Sequence, residues 1–131
     1  MLDHLFLTVS DLDRSIAFYD AVLPMLGIGI RHDYSGKDGP PGHPDLKGFG
    51  VDGRIFFWLR QGTALPDAVH VGFVAHSEVE VRSAYEAALV AGATAKISPG
   101  AQDYYDPRYY AAQVNDPDGY SLEFVYKPWQ H

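Results

Sequence analysis

Glu123 is a carboxylate inside an otherwise apolar strand, in the stretch NDPDGYSLEFV at residues 115–125. A buried carboxylate is costly unless it is paired, hydrogen-bonded or bound to a metal. Two histidines, His4 and His70, each open an apolar stretch, HLFLTV and HVGFVA. Two neutral imidazoles and one carboxylate suffice to bind a divalent ion and to leave positions open for water, substrate or O₂. These three residues are therefore candidate metal ligands.

Structural roles are open alternatives for the same three residues. The histidines would then be ordinary strand residues, hydrogen-bonded or at a sheet edge. Glu123 would form a salt bridge with one of the ten Lys and Arg residues. Metal binding requires that the fold bring all three side chains to one surface. A repeat in the sequence allows their positions in the fold to be predicted.

The two halves of the chain carry the same pattern. In each half, a strand that opens on histidine is followed by a serine N-cap, an amphipathic helix, further strands and an Asp-Gly turn. The corresponding features recur at a nearly constant separation: His4 with His70, Ser10 with Ser77, Asp13 with Glu80, and Asp52-Gly53 with Asp118-Gly119. Such a repeat predicts two copies of one supersecondary unit that share a core.

We predict an α+β fold of two tandem βαβββ units, 1–62 and 66–131, within a single domain that spans residues 1–131. Each unit has one helix outside its sheet, and the units together form a cupped mixed β-sheet around a shared concavity. The stretch 31–47 is rich in Gly and Pro and predicts a long loop that could include a short strand near its start. Strands are predicted at 4–9, 48–51, 54–60, 70–75, 94–98, 111–114 and over SLEFVYK.

Alternation along the strands predicts which side chains face the concavity. In the first strand, Leu5, Leu7 and Val9 form the bulkier set, which we expect to pack under the helix; His4, Phe6 and Thr8 then face the concavity. The same reasoning turns His70 and Glu123 toward the concavity in the second half. Pseudo-twofold symmetry is then expected to bring the two histidines together, with Glu123 beside them.

Four tyrosines, Tyr104, Tyr105, Tyr109 and Tyr110, lie in one short segment before the penultimate strand. They could be hydrophobic cover for the sheet edge. The functional alternative is a lid over the substrate, in which Tyr109 or Tyr110 orients the substrate or acts as an acid and Tyr105 contacts it.

Phe57 and Phe6 are candidates for an apolar wall against the substrate. Counting from the two Asp-Gly turns makes Phe57 the counterpart of Glu123, so Phe57 is predicted to face the concavity and Trp58 to face away from it.

Composition excludes several classes of partner. The net charge is −7 and the pI is about 5.1, which argues against binding to nucleic acid or to an anionic membrane surface. The chain has no cysteine, which rules out disulfides and thiolate metal sites and fits a reducing compartment. We see neither a signal peptide nor a membrane-spanning stretch, so the expected location is the cytoplasm and the expected partner is a small molecule.

The chain resembles the vicinal oxygen chelate superfamily, which includes glyoxalase I, bleomycin-resistance proteins, fosfomycin-resistance proteins and extradiol dioxygenases. The resemblance covers nearly the whole chain and is most specific in HLFLTVSDLDRSIAFYDAVL, HVGFVA and DPDGYSLEFV. It implies that His4, His70 and Glu123 bind Fe(II), Mn(II), Ni(II) or Zn(II), which chelates two vicinal oxygens of a small substrate. The implied activity is that of a lyase, an isomerase or a dioxygenase, and the implied assembly is a homodimer.

One position departs from the relatives that are similar to glyoxalase I. They usually carry a second carboxylate at the position that the count assigns to Phe57, and without it the general base is unassigned. The remaining set of two histidines and one glutamate is closer in type to the extradiol dioxygenases. The alternative is a metal-free protein of the bleomycin-resistance type that sequesters a small molecule. Such relatives usually lack the ligand set that this chain retains, which favours the enzyme.

Overall fold

The computed structural model describes residues 1–129, in which two four-stranded sheets are each accompanied by one long helix. The first half contains β1 (Leu5–Val9), α1 (Leu12–Val22), β2 (Ile30–Tyr34), β3 (Leu46–Val51) and β4 (Arg54–Gln61). The second half contains β5 (His70–Val74), α2 (Glu78–Val90), β6 (Thr94–Ala101), β7 (Tyr110–Asn115) and β8 (Ser121–Tyr126). No helix of this described part is long and apolar enough to cross a membrane.

The two sheets have the same strand order. The first is ordered β1-β4-β3-β2 and the second β5-β8-β7-β6. The first strand of each half pairs in parallel with the last strand of that half, and the other pairs are antiparallel. The α+β class and the two tandem βαβββ units are therefore confirmed. The predicted loop at 31–47 contains β2 at its start, and β3 begins two residues earlier than expected.

The helix caps follow local hydrogen bonding. Ser77 caps α2 as predicted, because its hydroxyl accepts from the backbone N–H of Glu80. The cap predicted for α1 is wrong by one residue. Asp11 is the N-cap, and its carboxylate accepts from the N–H of Arg14 at 3.0 Å. Ser10 instead donates its N–H to Asp118 in the other half, at 3.0 Å.

Alternation along β1 and β5 holds as predicted. Leu7, Val9 and Phe73 are buried in one core beneath the helices, whereas Phe6 is 37% exposed on the other face. The core joins the two halves directly, since the rings of Phe57 and Phe73 meet edge to face at 5.3 Å between centroids.

A β-bulge corrects the prediction for Phe57. The Asp52-Gly53 turn forms as expected, with φ values of 51° and 75°. The register between β3 and β4 then shifts between Phe49 and Gly50. Because an added residue sends all following side chains to the opposite face, Phe57 packs on Tyr19 of α1 and is 1% exposed. Phe57 is thus a core residue, and Trp58 lies on the face that was expected for Phe57.

The turn between β7 and β8 is held by residues of the first half. Asp116 accepts from the hydroxyl of Tyr19 at 2.6 Å. Asp118 pairs with the guanidinium of Arg14 at 3.0 Å. The hydroxyl of Tyr120 donates to the backbone carbonyl of Thr8 at 2.6 Å. The end of β1 therefore lies against the start of β8.

Candidate functional site

Glu123 lies at the centre of a polar cluster on the open face of the second sheet. Its side chain is largely buried, and the whole residue is 8% exposed. Three side chains share its two oxygens: His70 Nε2 at 3.1 Å, the Tyr109 hydroxyl at 2.5 Å and Gln113 Nε2 at 3.2 Å. The carboxylate in the apolar strand is thus hydrogen-bonded on both oxygens, which offsets the cost of its burial.

Strand register explains why these side chains meet. In the parallel pair of β5 and β8, Gly72 is opposite Glu123, and in the antiparallel pair of β7 and β8, Gln113 is opposite Glu123. Gly72 has no side chain, and open space lies where its Cβ would be. A cavity of about 370 Å³ is lined there by Glu123, His70, Tyr109 and Lys127, among others. Sequence analysis did not single out Gly72 or Gln113, although both follow from the register once the sheet is known.

The orientation of His70 is fixed by a second pair of contacts. Its Nδ1 lies 2.7 Å from the hydroxyl of Ser121, which also accepts from the ammonium of Lys96 at 2.8 Å. An ammonium only donates, so the hydroxyl proton of Ser121 is available for Nδ1 of the imidazole. His70 then carries its proton on Nε2 and donates it to Glu123. A metal ion at this nitrogen would have to replace that proton.

Tyr109 is a proton donor rather than a base. Burial, reinforced by the hydrogen bond to Glu123, raises the pKa of the Tyr109 phenol well above its usual value. The ring of Tyr105 lies 5.3 Å from that of Tyr109, and the ammonium of Lys127 lies 5.5 Å from the Tyr109 ring centroid. Tyr110 lies on the other face, where its hydroxyl accepts from Arg82 of α2.

His4 does not join this cluster within one chain. Its Nδ1 lies 2.6 Å from the carboxylate of Asp3, and it lines a different cavity of about 270 Å³. Among residues 1–129, no group of three or more His, Cys, Asp or Glu side chains is placed to hold a metal ion. The expectation that the two histidines come together beside Glu123 is therefore wrong for the single chain.

The packing of the two halves explains the separation of the histidines. The Thr8 end of β1 contacts Tyr120, next to Ser121, and Ser121 pairs with His70. His4 precedes β1 at its opposite end. Four residues of extended chain span about 13 Å, so His4 lies about that far from the end of β1 that approaches His70.

Trp58 and Arg60 line the open face of the first sheet and were not predicted as site residues. Trp58 pairs with Phe6 as Glu123 pairs with Gly72, so Trp58 is the true counterpart of Glu123. In the first half, the position equivalent to Glu123 is therefore occupied by the indole of Trp58 and not by Phe57.

A single copy of the chain does not provide a complete metal site. His70 and Glu123 are adjacent and supply two donors of suitable type, but the third donor lies elsewhere. A divalent ion in a catalytic site of this type needs three protein ligands.

Comparison with known proteins identifies relatives along nearly the whole chain. The model of the glyoxalase/bleomycin resistance protein/dioxygenase superfamily matches residues 1–124. A search of curated proteins gives no significant match.

Solved structures of similar fold include proteins of several activities. A glyoxalase/bleomycin resistance protein from Albidiferax ferrireducens T118 is 25% identical, with a TM-score of 0.77, over 98% of this chain and 99% of that chain. The fosfomycin resistance protein FosX from Mesorhizobium loti is 18% identical, with a TM-score of 0.65, over 95% and 90%. A glyoxalase I mutant from Zea mays is 21% identical, with a TM-score of 0.70, over 95% of this chain and 45% of that chain.

Proposed function

The chain belongs to the glyoxalase/bleomycin resistance protein/dioxygenase superfamily, and on that premise we propose that it is a metal-dependent enzyme whose metal centre is shared between two copies. His70 and Glu123 of one copy supply two ligands, and His4 of a second copy supplies the third. The observation that carries the proposal is the contact of His70 Nε2 with a largely buried carboxylate, at 3.1 Å. The proposed assembly is a homodimer that acts on a small oxygen-rich molecule in the cytoplasm.

The surroundings of both histidines support this role. In each, Nδ1 is engaged by a neighbouring oxygen, from Asp3 for His4 and from Ser121 for His70. If a metal replaced the proton on Nε2, these neighbouring oxygens could accept a proton carried on Nδ1, which is the usual arrangement around metal-binding histidines. The side chain of His4 is 47% exposed, so a second copy can reach it. Fe(II), Mn(II), Ni(II) and Zn(II) all suit two imidazoles and a carboxylate.

The bound metal would supply Lewis-acid polarisation of substrate oxygens. The chain's own residues have separate tasks. Tyr109 keeps its proton and donates it in a hydrogen bond at the cavity, where a substrate oxygen could replace Glu123 as acceptor. Lys127 places a positive charge at the cavity lined by Glu123. The apolar Trp58, in place of a second carboxylate, favours lyase or dioxygenase chemistry over an isomerisation that needs a carboxylate base.

Metal content tests the shared centre. We expect about one equivalent of a transition metal per chain in untagged wild-type protein by mass spectrometry. His4→Ala and Glu123→Gln should each lose it. His76→Ala is the matched control, because His76 is an exposed histidine whose side chain hydrogen-bonds only to Glu80 among residues 1–129.

Mixing the two variants distinguishes a shared site from a single-chain site. Random pairing of His4→Ala and Glu123→Gln chains makes half of the dimers mixed, and each mixed dimer carries one intact site. Refolding the two together should therefore restore about a quarter of the wild-type metal content. A mixture that stays metal-free while wild-type protein binds metal would refute the shared centre.

A metal-free binding protein is the second candidate. It is favoured by the three hydrogen bonds that already occupy the oxygens of Glu123. This candidate predicts that wild-type protein takes up none of Fe(II), Mn(II), Ni(II) and Zn(II) after loading and dialysis.

A further inference from the structure

The open face of the first sheet carries an aromatic platform, formed by Phe6 and Trp58. Their rings are nearly parallel, at 24°, with centroids 6.5 Å apart. Gly48 is opposite Trp58 in β3, and a Cβ on Gly48 would lie 2.7 Å from two atoms of the indole. The indole therefore covers the strand where a side chain would otherwise stand.

His32 lies next to the indole of the platform. Its ring meets the indole at 90°, with 6.1 Å between centroids. Phe6, the other half of the platform, is 37% exposed, and Trp58 is half-buried. A pair of nearly parallel rings, one exposed and one half-buried, suits stacking on a flat ring.

Arg60 lies over this platform with unused hydrogen-bonding capacity. Its guanidinium carbon is 5.5 Å from the centroid of Phe6, and its Nε donates to Thr8 at 2.8 Å. Within residues 1–129, the two terminal nitrogens of Arg60 have no hydrogen-bond partner and no carboxylate pairs with it. The other five arginines each use a terminal nitrogen in a hydrogen bond: Arg14, Arg31, Arg54, Arg82 and Arg108.

We propose that this face binds a planar aromatic ring that carries a carboxylate, with the ring on the platform and the carboxylate on Arg60. The hydrogen bond to Thr8 fixes the guanidinium, so its two terminal nitrogens can meet both oxygens of a carboxylate. In a chain of net charge −7, a cation that no carboxylate pairs with among residues 1–129 selects an anion. The inference rests on the proposed function, since it names the class of molecule that the shared centre receives.

Fluorescence titration tests the proposal. The chain has two tryptophans, Trp58 and Trp129, so Trp129→Phe leaves Trp58 as the reporter. The probe is benzoate. Cyclohexanecarboxylate keeps the charge without the flat ring, and benzamide keeps the ring without the charge. We expect saturable quenching by benzoate at millimolar concentrations and at least tenfold weaker binding of both analogues.

Variants in the Trp129→Phe background separate the two contacts. Arg60→Gln should weaken benzoate binding about 10- to 100-fold, which corresponds to the loss of a charged hydrogen bond, and should leave benzamide unchanged. Phe6→Leu should weaken both ring-bearing probes. Arg82→Gln is the matched control, since Arg82 lies on α2. Equal binding of benzoate and cyclohexanecarboxylate, or an unaltered affinity in Arg60→Gln, would overturn the proposal.

Failure of the metal centre gives a different result. Metal content and benzoate affinity are therefore measured on the same Trp129→Phe protein, as two independent readouts. Benzoate binding without metal uptake would reject the proposed function and keep the aromatic site. Metal uptake without benzoate binding would reject the aromatic site alone.

Discussion

The buried contact between Tyr19 and Asp116 should contribute measurably to stability. Tyr19 is 0% exposed and Asp116 is 3% exposed, and the hydroxyl donates to the carboxylate at 2.6 Å. Tyr19→Phe keeps the ring and its packing, so only the hydrogen bond is lost. A hydrogen bond to a charged group is worth about 1.5–3 kcal/mol, and we expect Tyr19→Phe to lower the free energy of unfolding by about 2 kcal/mol at pH 7.

The same loss can be expressed as a melting temperature. For 131 residues the entropy of unfolding is about 0.28 kcal/mol/K, so 2 kcal/mol corresponds to about 7 °C. Urea denaturation followed by circular dichroism gives the free energy directly. Tyr85→Phe is the matched control, because the hydroxyl of Tyr85 makes no hydrogen bond among residues 1–129.

The effect should depend on pH with a definite sign. Burial raises the pKa of Asp116 above its usual value of 3.8, whereas the bond from Tyr19 lowers it. A raised folded-state pKa favours the protonated form, so Asp116 contributes more stability below pH 3.8 and loses it as the pH rises. Removing the donor from Tyr19 raises this pKa further. Tyr19→Phe should therefore lower the free energy of unfolding by more at pH 7 than at pH 3. A cost under about 0.5 kcal/mol, or one independent of pH, would refute the argument.

Two further substitutions test local features of the fold. Ser77→Ala removes the side-chain cap of α2 and should lower the free energy of unfolding, measured by urea denaturation, by about 1 kcal/mol. Ser77→Asn should restore most of this stability. A loss no larger than that of an ordinary exposed substitution would contradict the cap. Gly48→Ala places a methyl group against Trp58 and Ile55 and should lower the free energy of unfolding by about 1–3 kcal/mol. In a Trp129→Phe background, it should also alter the fluorescence emission of Trp58. An unchanged stability and spectrum in Gly48→Ala would mean that the indole does not rest on this strand.

Sequence reasoning was sufficient wherever the signal was local and periodic. Alternation along the strand placed Glu123 on the face opposite to Leu122 and Phe124. The repeat indicated two sheets with the same strand order. Glu123 also proved to have His70 as a partner, because both belong to strands that pair within one half. Contacts within one repeat follow from register, and register follows from the hydrophobic pattern and the turns.

The errors arose where one residue or one docking geometry decides the outcome. A bulge beside Gly50 reversed the face of Phe57. Counting residues from the Asp-Gly turn does not allow for a bulge, although a glycine inside a strand is typical of one. The position of His4 depends on how the two halves pack, which is determined by contacts such as Tyr120 with Thr8. Symmetry of the sequence does not fix the direction in which two copies dock.

The anchoring of the turn at 116–120 by the first half has a consequence during synthesis. At about 5–20 residues per second, a ribosome needs about 3–12 s to translate the roughly 60 residues between the end of β4 and Tyr120. Throughout that interval the nascent first half exposes the hydroxyl of Tyr19 and the guanidinium of Arg14 without their partners. The first half should therefore gain the stabilisation of these contacts only after residue 120 has left the exit tunnel, and limited proteolysis of stalled nascent chains should cleave it more readily before that point than after.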